Sequence, residues 1–180
     1  MSTPKEKWIL IKKRFPIENV HTIVFDFDGV FTDNFVYVDG IGNEMIRCSR
    51  SDSYGITMLK RALQKNQLKI DLFVLSTETN PVVTTRCDKM GIHSYTGARD
   101  KLKFLEEWLS SHRKDMLFPK EGVVYFGNDL NDLEVILEVG YSFCPGDAHP
   151  KIKEKSTYTL DSKGGVGFVR EGIEILIGKD

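Results

Sequence analysis

The stretch VFDFDGVFTDN at residues 24–34 decides how the rest of the chain is interpreted. An apolar, β-rich run leads into it, and two acidic residues follow, Asp26 and Asp28. Side chains alternate along an extended segment, so both carboxylates are predicted to lie on one side, with Phe27 on the other. Two neighbouring carboxylates can hold a hard cation, or can act as nucleophile and general acid/base. Gly29 allows a sharp turn that brings backbone N–H groups near an anion.

A calcium-binding loop is the alternative explanation for this spacing of aspartates and glycine. Such a loop needs glycine at its sixth position and glutamate at its twelfth. Counted from Asp26, glycine stands at the fourth position and Phe31 at the sixth, and an apolar strand precedes the motif. The pattern therefore does not fit a calcium loop.

Segments with strand and helix patterns alternate along the chain. Continuous apolar runs predict strands, and apolar residues at helical spacing predict helices. The predicted strands cover residues 21–27, 70–75, 123–126, 141–144 and 157–160. The predicted helices have apolar stripes within residues 53–65, 83–90, 102–109, 133–137 and 166–176. This alternation predicts an α/β fold with a Rossmann-like, doubly wound parallel sheet that helices cover on both faces.

A β-hairpin is predicted directly after the first motif. Two β-rich arms, residues 35–38 and 44–47, flank the glycine-rich turn at residues 39–42. The chain has 180 residues, with no internal repeat and no Pro/Ser-rich linker. We therefore expect a single domain over residues 1–180, in which residues 1–18 form an N-terminal extension.

The composition excludes several classes of function. The formal net charge is −1, so no overall field attracts nucleic acid or an anionic membrane. No apolar run approaches the ~20 residues that span a bilayer, and the apolar part of the N-terminus is too short for a signal-peptide core. Three cysteines without a CxxC pair suggest a reducing compartment. We expect a soluble, cytoplasmic protein with no nucleic-acid or membrane partner.

Polar side chains follow the later strands as well, where ligands bind in parallel α/β sheets. Ser76 and Thr77 come after the strand at residues 70–75, where they either cap the next helix or donate hydroxyl groups to a ligand. Lys101 opens a helix, and such a lysine, taken alone, is typical of solvated surface. The loop at residues 127–132 (GNDLND) has more oxygen-bearing side chains than a helix cap requires. These oxygens suit a magnesium ion.

Together and in this order, these segments resemble the four motifs of the haloacid dehalogenase superfamily of phosphotransferases. The resemblance covers about residues 20–172. It implies that Asp26 is the nucleophile, which becomes an aspartyl-phosphate, and that Asp28 is the general acid/base. It implies phosphate binding by Ser76, Thr77, Lys101, Gly29 and Thr32. It implies Mg²⁺ binding by Asp26, Asp28, Asn128 and Asp129, with Asp132 supporting these ligands from behind.

Within that superfamily the chain is similar to a group without large cap domains. The group includes 3-deoxy-manno-octulosonate 8-phosphate phosphatase, nonulosonate 9-phosphate phosphatases, and the phosphatase-like domain fused to some acylneuraminate cytidylyltransferases. The stretches that carry this likeness include RSDSYGITMLK (50–60), LSTETNPVVTTRC (75–87) and GGVGFVREG (164–172). No long insertion follows the first motif, so the hairpin is the expected flap and no large cap domain is expected.

The resemblance to this group implies a substrate and an assembly. It implies a magnesium-dependent phosphatase that removes the terminal phosphate of an 8- or 9-phosphorylated ulosonic acid, a small acidic sugar phosphate. It also implies a homotetramer in which a neighbouring subunit closes each active site. Arg50, Asp52 and Arg170 are then expected on the substrate-facing surface, with the arginines contacting a sugar carboxylate.

Two positions depart from the usual pattern of the group. Asn128 stands where active members usually have aspartate, and its amide oxygen would bind a metal without contributing a negative charge. Val166 stands where relatives often have arginine in a GGRG turn. These departures motivate an alternative, a catalytically weak or inactive oligomerisation or regulatory partner of an acylneuraminate cytidylyltransferase. A third alternative is activity on a different phosphate, such as a nucleotide or a phosphorylated amino acid.

Overall fold

The computed structural model describes residues 15–117 and 119–178 of the chain. The strands are β1 (Thr22–Phe25), β2 (Thr32–Val38), β3 (Glu44–Cys48), β4 (Asp71–Leu75), β5 (His93–Tyr95), β6 (Val123–Phe126), β7 (Tyr141–Cys144) and β8 (Tyr158–Thr159). The α-helices are α1 (Arg50–Lys65), α2 (Val82–Met90), α3 (Lys101–His112), α4 (Leu133–Glu138), α5 (Pro150–Lys155) and α6 (Phe168–Ile177). Of the predicted N-terminal extension, residues 1–14 lie outside the described residues. The predicted single domain over residues 1–180 stays a prediction.

Six parallel strands form the central sheet, in the order β5-β4-β1-β6-β7-β8. β1 lies between β4 and β6, with Thr22 opposite Asp71 on one side and Val123 on the other. All of β1 is buried, because helices cover both faces of the sheet. Phe25 packs on the face covered by α1, α2 and α6, and Val24 packs on the face covered by α3, α4 and α5. The predicted α/β fold with a Rossmann-like, doubly wound parallel sheet is confirmed.

β2 and β3 form an antiparallel hairpin outside the central sheet, which is the predicted flap. The Asp39 carboxylate holds its turn by accepting the N–H groups of Ile41 and Asn43 at 3.0 and 2.8 Å. Gly42 has a φ of +87°, a conformation that glycine adopts without steric cost. In the described residues, the hairpin is the only insertion between β1 and α1, and no large cap domain is present.

Two helices begin at different residues than their apolar stripes predict. α1 begins at Arg50 rather than at residue 53, because the Ser49 hydroxyl caps it by accepting the N–H groups of residues 51 and 52. Val166, which was placed in the C-terminal apolar stripe, precedes α6 and is 57% exposed. Gly167 separates Val166 from the helix. Its φ of +106° is not helical, so α6 can begin only at the next residue.

Smaller differences lie at the edge of the sheet and in α4. The sequence did not predict β5, a three-residue edge strand that lacks an apolar run. Leu137 was predicted in the buried stripe of α4 but is exposed, and Val135 is buried instead. The predicted strand at residues 157–160 is shorter in the structure. Among the helices of the described ranges, none is long and apolar enough to cross a membrane.

Candidate active site

A pocket of about 350 Å³ opens at the carboxyl ends of β1, β4 and β6. Its walls are formed by Asp26, Asp28, Asn34, Ser76, Thr77, Asn128, Asp129, Leu130 and Asn131. The loops after these three neighbouring strands meet here, because parallel strands end at the same edge of a sheet. The structure therefore brings together six of the predicted site residues. Leu130 and Asn131 belong to the predicted acidic loop at residues 127–132, and Asn34 is an additional wall residue that was not predicted.

A buried ion cluster lies behind Asp26. The Lys101 ammonium is 2.7 Å from Asp26 Oδ1 and 2.7 Å from Asp132 Oδ1. The Tyr125 hydroxyl donates to the same Asp132 oxygen at 2.6 Å. Lys101 is only 2% exposed, so the expectation of a solvated lysine, drawn from that residue alone, is wrong. The position of Lys101 at the first residue of α3, next to the end of β1, explains its burial.

The charges in this cluster do not balance. One ammonium faces two carboxylates, which leaves one uncompensated negative charge in a buried place. Burial raises the pKa of Asp26, the charge of Asp132 raises it further, and Lys101 opposes both. Burial would lower the pKa of Lys101, but the two carboxylates outweigh burial and raise it, so Lys101 stays protonated. The pKa of Tyr125 is raised well above its usual value, first by burial, so its hydroxyl remains a donor.

Asp132 also orders the acidic loop. Its Oδ2 atom accepts the backbone N–H groups of Asn128 at 2.8 Å and Asp129 at 3.2 Å. A Cβ atom at Gly127 would lie 2.7 Å from the same oxygen, so glycine is needed for this close approach. Both oxygens of Asp132 are thus engaged by the protein. This placement agrees with the supporting position that the resemblance implies for it.

Asp28 and Thr32 form a second local unit. The Thr32 hydroxyl accepts the N–H groups of Gly29 at 3.1 Å and Asn34 at 3.2 Å, and it donates to Asp28 Oδ1 at 3.3 Å. Burial raises the pKa of Asp28, and the bond from Thr32 opposes this shift. Because the Thr32 hydroxyl and the Gly29 N–H are committed to each other, this geometry favours a role in positioning Asp28 over the predicted contact with phosphate.

Ser76 and Thr77 follow β4 and line the pocket, as predicted. Ser76 is buried, and its Oγ atom accepts the N–H of Glu78 at 3.1 Å. The hydroxyl of Ser76 is held as an acceptor, which leaves its proton available to a ligand. The predicted role of both residues in phosphate binding stays a prediction.

The residues around Asn128 fit a divalent cation. Asn128 is 7% exposed, and within the described residues its Oδ1 atom is buried without a hydrogen-bond partner. A Cβ atom added at Gly29 would lie only 1.9 Å from the Nδ2 atom of Asn128, so residue 29 has no room for a side chain. A buried unpaired acceptor costs about 1–3 kcal/mol, and a bound cation would satisfy it. Asp26, Asp28 and Asp129 line the same pocket next to the uncompensated negative charge, and their oxygens are of the type that Mg²⁺ prefers.

The donor set depends on Asn128. Within residues 15–117 and 119–178, no group of three or more His, Cys, Asp or Glu side chains is placed to hold a metal ion. The side chains of Asp26, Asp28 and Asp129 therefore do not converge on a metal position by themselves in this structure. The predicted metal ligands stay a prediction, supported by the unpaired Oδ1 atom.

The predicted substrate-facing residues lie away from this pocket. The Asp52 carboxylate is fully buried and accepts the N–H groups of Gly167 at 3.1 Å and Arg170 at 2.9 Å, so it caps the start of α6. The Arg170 guanidinium donates to Glu174 at 2.7 Å and lies 5.4 Å from the centre of the Tyr54 ring. Arg50 is exposed and lines a separate pocket. In this chain the three residues do not converge, and their predicted contact with substrate stays a prediction.

Sequence reasoning missed Tyr125, which donates to Asp132 from inside β6. The signal was present, because a tyrosine in the otherwise apolar run VVYF needs a partner for its hydroxyl when it is buried. Asn34 was missed because its φ of +65° turns it toward the pocket from the start of the hairpin. Nothing in the strand pattern predicts that conformation.

Comparisons with known proteins identify the family and similar folds. Residues 99–170 match the family described as haloacid dehalogenase-like hydrolase. The 3-deoxy-D-manno-octulosonate 8-phosphate phosphatase of Yersinia pestis is 32% identical over 160 residues, which cover 88% of this chain and 80% of the relative. A crystal structure of the Yersinia pestis phosphatase matches with a TM-score of 0.78 at 31% identity, covering 93% of this chain and 84% of that one.

Two further solved structures carry metals. The cobalt-bound deoxy-D-mannose-octulosonate 8-phosphate phosphatase of Haemophilus influenzae is 26% identical, with a TM-score of 0.76 and 89% of each chain covered. The 3-deoxy-D-manno-octulosonate 8-phosphate phosphatase of Moraxella catarrhalis, in complex with magnesium, phosphate and the sugar acid, has a TM-score of 0.79 and covers 93% of this chain and 90% of its own. Because the Moraxella catarrhalis phosphatase is only 24% identical to this chain, its similarity shows the fold alone.

Proposed function

The chain belongs to the haloacid dehalogenase-like hydrolases, and from that premise we propose that it is a magnesium-dependent phosphatase of an acidic sugar phosphate. The chain is accordingly a phosphoric monoester hydrolase. The substrate class that we propose is an 8- or 9-phosphorylated ulosonic acid, of the 3-deoxy-D-manno-octulosonate or sialic-acid type. Support for a sugar acid comes from the name of the Yersinia pestis relative.

One observation carries the proposal, the pairing of Asp26 with Lys101 at the floor of the pocket. Lys101 fixes one carboxylate oxygen of Asp26 from the buried side, and Asp132 fixes Lys101 in turn. The carboxylate is therefore held in one orientation while it borders the pocket. A carboxylate arranged in this way is suited to attack a bound phosphate.

In the first step, an oxygen of the Asp26 carboxylate attacks the phosphorus atom. The bond between phosphorus and the sugar oxygen breaks, and Asp28 gives its proton to that oxygen. The raised pKa of Asp28, which results from its burial, favours the protonated form that this step needs. The products are the free sugar acid and an aspartyl-phosphate on Asp26.

In the second step, water attacks the phosphorus atom of the aspartyl-phosphate. Asp28, now a carboxylate, accepts a proton from that water, and the bond between phosphorus and Asp26 breaks. The electron pair of that bond returns to Asp26, and inorganic phosphate leaves. Ser76 and Thr77 donate hydrogen bonds to the phosphoryl oxygens in both steps, and Lys101 keeps Asp26 oriented.

The groups that would hold the magnesium ion are the side chains of Asp26, Asn128 and Asp129 and the backbone carbonyl of Asp28, whose side chain stays free for proton transfer. When it is bound, the ion offsets the negative charges of Asp26 and of the phosphate, which would otherwise repel each other. We further propose that the chain acts as a cytoplasmic homotetramer, in which a neighbouring subunit closes each pocket.

The test is phosphate release from a panel of sugar phosphates, with Mg²⁺ and with a chelator, by the wild-type protein and by Asp26→Asn. We expect release from 8- or 9-phosphorylated ulosonic acids that needs the metal and that falls by about 10⁴-fold or more in the variant. Aluminium or beryllium fluoride should form an adduct with the wild-type protein. No release above the Asp26→Asn background from any member of the panel would overturn the proposal.

A second function is favoured by the neutral amide at Asn128, which gives the site less negative charge for a metal. In this second case the chain is an inactive oligomerisation or regulatory partner of an acylneuraminate cytidylyltransferase. Co-purification with such an enzyme, together with inert phosphatase assays, would support it. Substantial turnover by the isolated protein would contradict it.

A further inference from the structure

Asn34, in the wall of the candidate active site, has a backbone conformation that is unusual for a residue other than glycine. Its φ is +65°, and among the described residues Gln67 is the only other non-glycine residue with a positive φ, at +55°. Gln67 follows the end of α1, where a left-handed residue commonly closes a helix, and its N–H donates to the Gln64 carbonyl at 3.2 Å. Asn34 follows no helix, so its conformation needs another explanation.

An irregularity in the hairpin accounts for this conformation. The pairing of β2 with β3 shifts register between Thr32 and Val36, so β2 bulges at the residues between them. The backbone N–H of Asn34 donates to the Thr32 hydroxyl at 3.2 Å, and that hydroxyl donates to Asp28 at 3.3 Å. A bulge beside an active site commonly redirects one side chain. The side chain redirected here is that of Asn34, which lines the pocket.

The position of Asn34 next to Asp28 indicates which part of a substrate its side chain would meet. The active-site pocket adjoins a second pocket of about 200 Å³ under the hairpin, and Asp28 and Asn34 are the two residues that line both. Asp28 is the proposed donor of a proton to the oxygen that leaves phosphorus. A leaving group that extends from Asp26 into the second pocket therefore passes Asn34 close to its ester oxygen.

The side-chain amide of Asn34 is available for such a contact. Asn34 is exposed, and within the described residues its amide group has no hydrogen-bond partner. An amide both donates to and accepts from a hydroxyl group. The pocket wall already has the carboxylates of Asp26, Asp28 and Asp129, so a neutral group contacts an anionic substrate without additional repulsion. These properties favour a hydroxyl group of the leaving group as the ligand of Asn34.

We propose that Asn34 is a specificity-determining residue that binds the hydroxyl group on the carbon next to the one that carries the phosphate. This contact holds the ester oxygen beside Asp28, so the site selects monophosphates of vicinal diols over simple alkyl phosphates. In 3-deoxy-D-manno-octulosonate 8-phosphate, the hydroxyl group in question is the one on carbon 7. The inference rests on the proposed function and narrows its substrates by the chemistry of the leaving group.

The test compares 3-deoxy-D-manno-octulosonate 8-phosphate with its 7-deoxy analogue, which lacks only that hydroxyl group. The quantity measured is the ratio of kcat/KM for the first compound to kcat/KM for the second. We expect a wild-type ratio of about ten or more, and a ratio about tenfold lower in Asn34→Gly. Glycine adopts a positive φ without steric cost, so this variant removes the amide and keeps the backbone conformation.

Gln67→Gly is the matched control, because it makes the same kind of change at the other positive φ, in an exposed residue outside both pockets. It should keep the wild-type ratio. A wild-type ratio near one would overturn the inference. A loss in Asn34→Gly that is equal for the two compounds would also overturn it, since equal losses report a structural effect of the bulge and no contact with the hydroxyl group.

A binding measurement separates this inference from the proposed function. Both compounds are titrated calorimetrically, with Mg²⁺, into Asp26→Asn and into the double variant Asp26→Asn, Asn34→Gly, so that no aspartyl-phosphate forms. We expect the second substitution to lower the affinity for the 8-phosphate about tenfold and to leave the affinity for its 7-deoxy analogue unchanged. That result would support the role of Asn34 even if the wild-type protein released no phosphate, which would overturn the proposed function alone. Equal affinity of the two proteins for the 8-phosphate, or no binding at millimolar concentrations, would overturn the inference whatever the phosphatase assays give.

Discussion

The buried cluster around Lys101 and the exposed hairpin of β2 and β3 lie on either side of the same pocket but are stabilised differently. In the cluster, Lys101 and Asp132 are almost fully buried, and each bonds to partners within the chain. In the hairpin, Phe35 is 71% exposed and Ile41 is 86% exposed. The cluster is therefore satisfied by contacts within the chain. The hairpin instead presents exposed apolar side chains.

The difference has an energetic basis. Buried charges are tolerated only when hydrogen bonds and opposite charges satisfy them, so the cluster permits few substitutions. Exposed side chains contribute little to the free energy of unfolding, so substitutions in the hairpin should have little effect on stability. The four predictions below test whether the two regions are as separate as this comparison implies.

The largest effect is expected for Lys101→Met. This change leaves Asp26 and Asp132 facing each other without a cation, and removal of one partner from a buried ion pair costs about 3–5 kcal/mol. Asp26 also loses its fixed orientation, so phosphatase activity should fall by at least about 10³-fold. Chemical denaturation and phosphate release measure the two effects. Lys103→Met is the control on the same helix, because that side chain is exposed.

The comparison would fail if both lysine variants behaved alike. If Lys101→Met kept wild-type stability, the cluster would not be a structural unit. If it folded normally but lost activity, the pairing would serve chemistry alone.

A smaller effect is expected for Tyr125→Phe, which removes one hydroxyl donor from Asp132 and keeps the ring in the core. A hydrogen bond to a charged group contributes about 1.5–3 kcal/mol, so the free energy of unfolding should fall by about 2 kcal/mol. Tyr37→Phe makes the same change on the exposed hairpin, where we expect less than about 0.5 kcal/mol. Urea denaturation of both variants measures the difference. Equal losses would show that Tyr125 stabilises the fold through its ring alone.

A change of about tenfold is expected for Asn128→Asp. The substitution adds a carboxylate next to the unpaired position in the pocket, and metal affinity rises with the negative charge of the ligands. The Mg²⁺ concentration that gives half-maximal activity should therefore fall about tenfold. Asn131→Asp, also in the pocket wall, is the control for a general increase in negative charge. A rise in the required Mg²⁺ concentration would mean that the Asn128 amide is not directed at the metal.

The sequence predicted the fold well where burial decided it. β1 and β6 are apolar runs buried on both faces, and the loops after them carry Asp26 and the acidic loop of the site. These positions follow from local pattern and from the rule for strand ends. The Asp132 carboxylate is bonded to the acidic loop, and its expected role behind the metal ligands stays a prediction.

The sequence could not predict contacts between distant segments. The Asp52 carboxylate caps α6, which follows more than a hundred residues later, and no local pattern around Asp52 predicts this contact. The burial of Lys101 likewise depends on Asp26 and Asp132, which lie in other elements. Charge at a given residue does not reveal which other charges stand beside it.

The smallest effect is expected for Val38→Thr on the hairpin. Val38 is 61% exposed, so replacing a methyl group by a hydroxyl group should change the free energy of unfolding by less than about 0.5 kcal/mol. The same change at Val24, fully buried in β1, places a hydroxyl group in the core and should cost about 1–3 kcal/mol. Denaturation at several protein concentrations measures both variants. If the proposed homotetramer buries the hairpin, Val38→Thr will destabilise the protein only at concentrations where the wild type assembles, whereas the cost at Val24 will not depend on concentration. A loss at Val38 that equals the loss at Val24 at every concentration would mean that the hairpin is part of the folding core, and the contrast between the two regions would not hold.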